Sequence, residues 1–529
     1  MKFNILLLCC MILSFNASAQ YISSISYPDT TKTIITDEND PSVKAANSIT
    51  ATELKEILTV LASDDMEGRE TGFPGNDRAA DYINEYYNKL GTKKIGENGT
   101  HFQNVAFSWS SWNETKLIIK NEAYRHLWDY LAFPTRNIAM APMMESEVIF
   151  VGYGINDKNY NDYRKAKVKN KVIMMYEGLP ETSVDIDKSW TVEKKLAIAK
   201  EKGAKLVLII ADDIKGLLGK NRRALLGPSL QLGKAKSEIT GANHIYISPK
   251  VAQDIWGDAQ KKVIKARDKG RKSGKPKAVK VKTRFSLSNN KKVKTIDGRN
   301  VLGYIEGSDK KEEVLVISAH YDHIGKKGDD VYNGADDNAS GTSAVMEIAE
   351  AFQIAKNEGN GPRRSILFLH VTGEEKGLLG SAYYAENPVF PLKNTIADIN
   401  IDMIGRTDKT YRDNPNYIYV IGSDRLSRDL HKINEKMNDT YSQLTLDYTY
   451  NSETDPNRYY YRSDHYNFAE KGIPAIFYFS GVHEDYHMST DTADKIQFDK
   501  MEAVARMIFH TSWELANREK RIKVRLNQP

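Results

Sequence analysis

The chain has 529 residues, 40% of them hydrophobic and 27% charged, with a formal net charge of +5. These fractions are those of ordinary globular proteins and leave no compositional case for a disordered chain. So small a net charge gives no reason to expect nucleic acid as a partner, and at about 150 residues per domain the length suggests roughly two to four domains.

The N-terminal segment reads as an export signal. Lys2 supplies the positive start, residues 5–13 a short apolar core, and Ala17-Ser18-Ala19 a cleavage site, so residues 1–19 are expected to be removed. The apolar run is shorter than the about 20 residues of a membrane-spanning helix, and no later segment is long and apolar enough to span. The expected destination is the periplasm or the exterior. Cys9 and Cys10 are the only cysteines and leave with the signal. The mature chain can then form no disulfide, thiolate ligand or cysteine nucleophile, and any metal must be held by histidines and carboxylates.

Residues 20–45 are polar and read as a flexible leader. From Thr52 a helical pattern places Leu54, Ile57, Leu58 and Leu61 on one face. A loop, DDMEGRETGFPGN (64–76), and a second amphipathic helix from about Asp77 to Leu90 follow. Residues 140–285 look like a separate module. It has strands at 148–155 and 171–178, then a helix, a Gly203 stop and a strand across 192–211. The basic stretch Lys261–Arg284 closes it and reads as a solvated helix face plus linker. Residues 46–139 and 286–529 would form the other domain. Strands and helices alternate from about Thr295, with helices at 340–355 and 498–519. That alternation predicts an α/β fold, a mostly parallel central sheet flanked by helices.

Four apolar runs in this last part end in potential metal ligands: VLVISAHYDH (314–323), SILFLHVTGEE (365–375), ADINIDMIG (397–405) and IPAIFYFSG (473–481). In an open α/β sheet, sites form outside the carboxyl ends of the strands. His320 and Asp322 share one face of an extended segment, so Asp322 can orient His320. His323 lies close by and competes. Asp336 and Asp337 open a helix in GADDNASG, where one acidic residue is explained by the helix dipole and two are not. Glu374 and Glu375 point apart in an extended chain, which gives them different tasks, one on a metal and one on a proton. Asp402 ends a third strand and needs a partner if buried. His483 and His487 lie beyond the fourth, and one of them is expected as a ligand. Nitrogen and oxygen donors of this kind suit Zn²⁺. Two such ions, about 3.5–4 Å apart, can polarise a carbonyl and activate water.

The runs SAHYDH, YNGADDNASGTSAVMEIA, TGEEKGLLGS, NIDMIG, RSDHYNF, KGIPAIFYFSG and DYHMSTDTADKI, in that order, resemble the successive motifs of the M28 family of zinc peptidases. The lead-in LASDDMEGRETGFPGNDRAADYI is similar to that family's N-terminal helices, and 140–285 to the protease-associated domain many members carry as a β-rich α/β insert. The resemblance implies the zinc aminopeptidase fold and two Zn²⁺ per chain. His320 and Asp402 would hold one ion, Glu375 and His487 the other, and Asp337 would bridge. It further implies Glu374 as general base, Asp322 as the residue orienting His320, Tyr486 near the oxyanion, and a cis peptide after Asp337. The expected function is an exported aminopeptidase acting on peptides with a free N-terminus. Carboxypeptidase, dipeptidase or glutaminyl cyclase chemistry, or a non-catalytic binding role, remain the alternatives. Arg462 and the run Tyr459-Tyr460-Tyr461 are candidates for lining the substrate pocket, and oligomeric state is left open.

Overall fold

A computed structural model describes residues 25–226, 229–233 and 241–525. The signal segment lies outside the described residues. The chain forms two compact units, one of residues 1–104 with 299–529 and one of residues 105–298.

In the first unit four parallel strands make the centre of a mixed sheet. Lys310–His320 pairs with Arg364–Val371 on one side and Thr395–Ile401 on the other, and Ala475–Phe479 lies beyond Thr395–Ile401. Antiparallel neighbours flank them: residues 301–305 of the strand Val279–Ile305 beside Arg364–Val371, and Tyr417–Ile421 beside Ala475–Phe479. The apolar runs are continuous because both faces of the sheet are covered. Leu315, Ile317 and Ala319 pack on one face with Leu58, Ile83, Val345 and Ile508 from the helices. Val314 and Val316 point the other way, towards Leu369, Tyr384 and Phe468.

The helices begin where the local chemistry allows. Thr50 caps Ala51–Leu61: its hydroxyl accepts from the Glu53 amide and donates to the Glu53 carboxylate. The second helix spans Pro74–Leu90, starting three residues before the expected Asp77. Pro74 at the first helical position loses no hydrogen bond there, and Gly91 stops the helix at φ 74°. The helices Gly341–Asn357 and Phe498–Asn517 agree with the spacing read from the sequence.

The second unit is a sheet in the order Tyr130–Leu131, His244–Ile247, Leu206–Ile210, Val172–Tyr176, Met140–Phe150 and residues 279–289 of Val279–Ile305. Its limits lie outside the expected 140 and 285, because long strands carry the chain at both ends. The stretch Lys261–Arg284 divides into the helix Gln260–Ser273 and the beginning of a strand. In that strand Val279, Val281 and Phe285 are buried while Lys280, Lys282 and Arg284 are exposed. The alternation has a period of two, and the lysines on its exposed face give it the composition of a linker.

Candidate metal centre

Each central strand delivers polar side chains to one edge of the sheet. His320 is the last residue of Lys310–His320, Glu374 and Glu375 follow Arg364–Val371, and Asp402 follows Thr395–Ile401. The loop after Ala475–Phe479 brings His483, Tyr486 and His487, and the turn before Gly341–Asn357 brings Asp337. These residues form two groups whose donor atoms lie within 4.8 Å of one another: His320, Asp337 and Asp402, and His323, Asp337, Glu375 and His487.

Asp337 belongs to both groups through different oxygens. Its Oδ1 is 3.5 Å from His320 Nε2, and its Oδ2 is 3.0 Å from His487 Nε2. His320 Nε2 is 3.4 Å from Asp402 Oδ1, and His487 Nε2 is 2.9 Å from Glu375 Oε1. Donors at about 2.0–2.1 Å from a tetrahedral zinc ion are about 3.3 Å apart, so these spacings fit one. Asp402 Oδ1 and His487 Nε2 are buried without a hydrogen-bond partner among the described residues. Buried polar atoms need a partner, and a cation would supply it. Asp337 is fixed through its backbone: Asp491 accepts from the amides of Asp336 and Asp337, and Asn338 bonds Ile401 O, Gly341 N and Met403 N. The Asp337–Asn338 peptide is cis. Asp336 turns away and meets His483 Nε2 at 3.2 Å, which separates His483 from His487 and Asp336 from Asp337.

Glu374 and Glu375 diverge. Burial raises the Glu374 carboxyl well above the usual carboxylate range. Burial also opposes ionisation of Glu375, but the adjacent imidazoles of His323 and His487 hold it well below that range. Asp322 sits beneath both motifs. Its carboxylate accepts from Thr71 Oγ1 and from the Glu374 amide at 3.0 Å. His320 Nδ1 is 3.1 Å from the Asp322 carbonyl and 3.8 Å from its carboxylate, so the imidazole is met by backbone and the side chain seats Glu374.

Above the donors is a small open pocket lined by His320, Asp337, Glu374 and Asp402. Met403, Phe477, Phe479 and Val482 form an apolar wall, and Tyr459, Arg462 and Tyr486 complete the lining. Tyr486 stacks on His487 with ring centroids 3.9 Å apart. Of the three tyrosines 459–461 only Tyr459 lines the pocket, with the Arg462 guanidinium 4.8 Å over its ring. Tyr460 lies under Arg425 and Tyr461 is exposed.

Behind the wall His465 stacks on Phe477 at 5.0 Å, and burial pushes its imidazole down to about 3. Its ordinary value is 6.5, so below that pH the unfolded chain takes a proton that the folded protein refuses. The stability is complete above pH 6.5 and is lost as pH falls, by about 1.4 kcal/mol per unit. Melting temperatures between pH 6.5 and 4 should therefore fall less steeply in His465→Phe than in wild type.

Two residues missing from the candidate ligands are central here. His323 is fully buried in the second group. Arg69, fully buried, donates to the carbonyls of Leu61, Tyr321, Asn333 and Gly334, and so ties the 64–76 loop to the turn that carries Asp337. The signal for Arg69 is a lone arginine in a loop otherwise rich in acidic residues and glycine.

Residues 300–512 match the model of peptidase family M28. A probable zinc metalloprotease of Pyrenophora teres f. teres is 29% identical over 261 residues, 41% of this chain and 51% of its own length. A probable leucine aminopeptidase of Trichophyton verrucosum is 29% identical over 213 residues, 39% of this chain and 55% of its own. The chain thus spans about half the length of these curated relatives. An aminopeptidase from Aneurinibacillus sp. strain AM-1 shares the fold, with a TM-score of 0.54 at 19% identity over 91% of this chain and 97% of that one. The matched segment contains every donor of both groups.

Proposed function

We propose that the protein is an exported zinc-dependent aminopeptidase. The observation that carries this reading is the pair of donor groups sharing Asp337 on the floor of a pocket, with Glu374 beside them. Two zinc ions held there would polarise the scissile carbonyl and lower the pKa of a bound water.

The chain's own residues do the rest. Glu374, seated by Asp322, takes a proton from the attacking water and hands it to the leaving amine. Tyr486 lines the pocket and donates a hydrogen bond from its hydroxyl to the developing oxyanion. Asp402 and Glu374 are the carboxylates available to a free N-terminal amine. The wall of Met403, Phe477, Phe479 and Val482 takes an apolar side chain. Residues 105–298 serve as a protease-associated insert. Among the described residues no helix is long and apolar enough to cross a membrane.

A panel of short peptides with free and acetylated N-termini tests the reading. Free peptides should lose their first residue, acetylated ones should resist, and chelation should abolish turnover until zinc is restored. Release from the carboxyl end, or equal cleavage of blocked peptides, would overturn it.

A further inference from the structure

The two donor groups are not equivalent. The group of His320, Asp337 and Asp402 faces the pocket with Glu374, while His323, Glu375 and His487 are not among the pocket-lining residues. The first group has three donors and the second has four. Catalytic zinc sites keep three protein ligands and an open position, whereas four protein ligands close a site.

The fourth donor of the inner group is His323. Its Nδ1 is 3.0 Å from Glu375 Oε1 and 3.8 Å from Asp337 Oδ2, spacings that bracket the about 3.3 Å edge of a zinc tetrahedron. Neither ring nitrogen meets hydrogen-bond geometry with any described residue, although the side chain is fully buried. The ring is also held in place. It lies against Gly334, where an added Cβ would come within 2.5 Å of its Cγ and Cδ2. The His323 amide donates to the Arg69 carbonyl, and the Arg69 guanidinium in turn holds Gly334 O.

We propose that His323 is a metal ligand, so that His323, Asp337, Glu375 and His487 enclose one zinc ion and leave the exchangeable position to the ion of His320, Asp337 and Asp402. This rests on the two-ion reading above. It makes the inner ion the tightly held one, and it places the attacking water on the pocket side, next to Glu374.

The experiment uses the full mature chain stripped of metal and titrated with zinc against a chelating indicator, with X-ray absorption at the zinc edge. Wild type should take up two ions, with three imidazoles shared between them. His323→Ala and His323→Gln should each lose the tighter step and one imidazole. Loss of an outer partner costs about 10–100-fold in metal affinity, so loss of a ligand should exceed about 100-fold. The glutamine variant is decisive, because its amide can still donate to Glu375 yet is a poor zinc ligand. Metal-free melting temperatures of variants and wild type should agree, which separates ligand loss from misfolding. If His323→Gln binds two ions as tightly as wild type with unchanged imidazole content, the inference is overturned and the two-ion reading stands. If wild type itself takes up fewer than two ions, both fall.

Discussion

Glu374→Gln should lower turnover by about 10²–10⁴-fold while the zinc content stays at the wild-type level. The substitution keeps the size of the side chain and removes only its capacity to carry a proton. The backbone of Glu374 stays where it is, because its amide is bound by Asp322 and not by its own carboxylate. Substrate affinity should change little, since the pocket wall of Met403, Phe477, Phe479 and Val482 is untouched. Steady-state kinetics on a free dipeptide amide, with metal analysis of the same preparation, reads both quantities. A variant that keeps its turnover removes Glu374 from the proton path. A variant that loses zinc instead would move Glu374 into the ligand set.

Arg69→Met should be the most destabilising single change in the first unit outside its apolar core. The guanidinium is fully buried and donates to four carbonyls from three separate stretches of chain. Burial pulls its pKa down to about 10, so it remains charged at neutral pH. An unsatisfied buried carbonyl costs about 1–3 kcal/mol, and water entering the space recovers part of that. A net loss on the order of 4 kcal/mol, roughly 10 °C in melting temperature, is expected. Arg69→Lys should recover little of it, because one ammonium cannot span the positions that the planar fork reaches. Zinc affinity should fall as well, since Asn333 and Gly334 lead directly into Asp337. Thermal melts with and without zinc separate the two effects. A melting temperature within 2 °C of wild type would show that water replaces the guanidinium at little cost.

The central strands were legible because both faces of the sheet are buried, so Val314 to Ile317 and Ile366 to Leu369 appear as unbroken apolar runs. The chemistry-bearing residues stand out at the ends of such runs, and His320, Glu374, Glu375 and Asp402 could be picked by position. Which of two neighbours does what is not a one-dimensional property. Glu375 differs from Glu374 by which way the chain turns after Thr372, and Asp337 from Asp336 by where Asp491 holds the amides. The loop after Ala475–Phe479 was less readable still. His487 adopts φ 59°, a left-handed conformation that its residue type does not announce. His323 was visible as a competitor to His320, but its partnership with Glu375 depends on a contact across the sheet edge. The strand Val279–Ile305 was hidden by the lysines on its exposed face.

The arginine clasp also has a consequence in time. Arg69 leaves the ribosome 264 residues before Asn333, the carbonyl it must hold. At about 5–20 residues per second that interval is roughly 13–53 s. Residues 105–298 are contiguous and can complete their sheet within that wait. The N-terminal helices cannot do the same, because Leu54, Leu58 and Ile83 share a core with helices and strands that are synthesised afterwards. During synthesis this apolar face stays uncovered while a whole unit folds behind it, so chaperone demand should concentrate on residues 51–90.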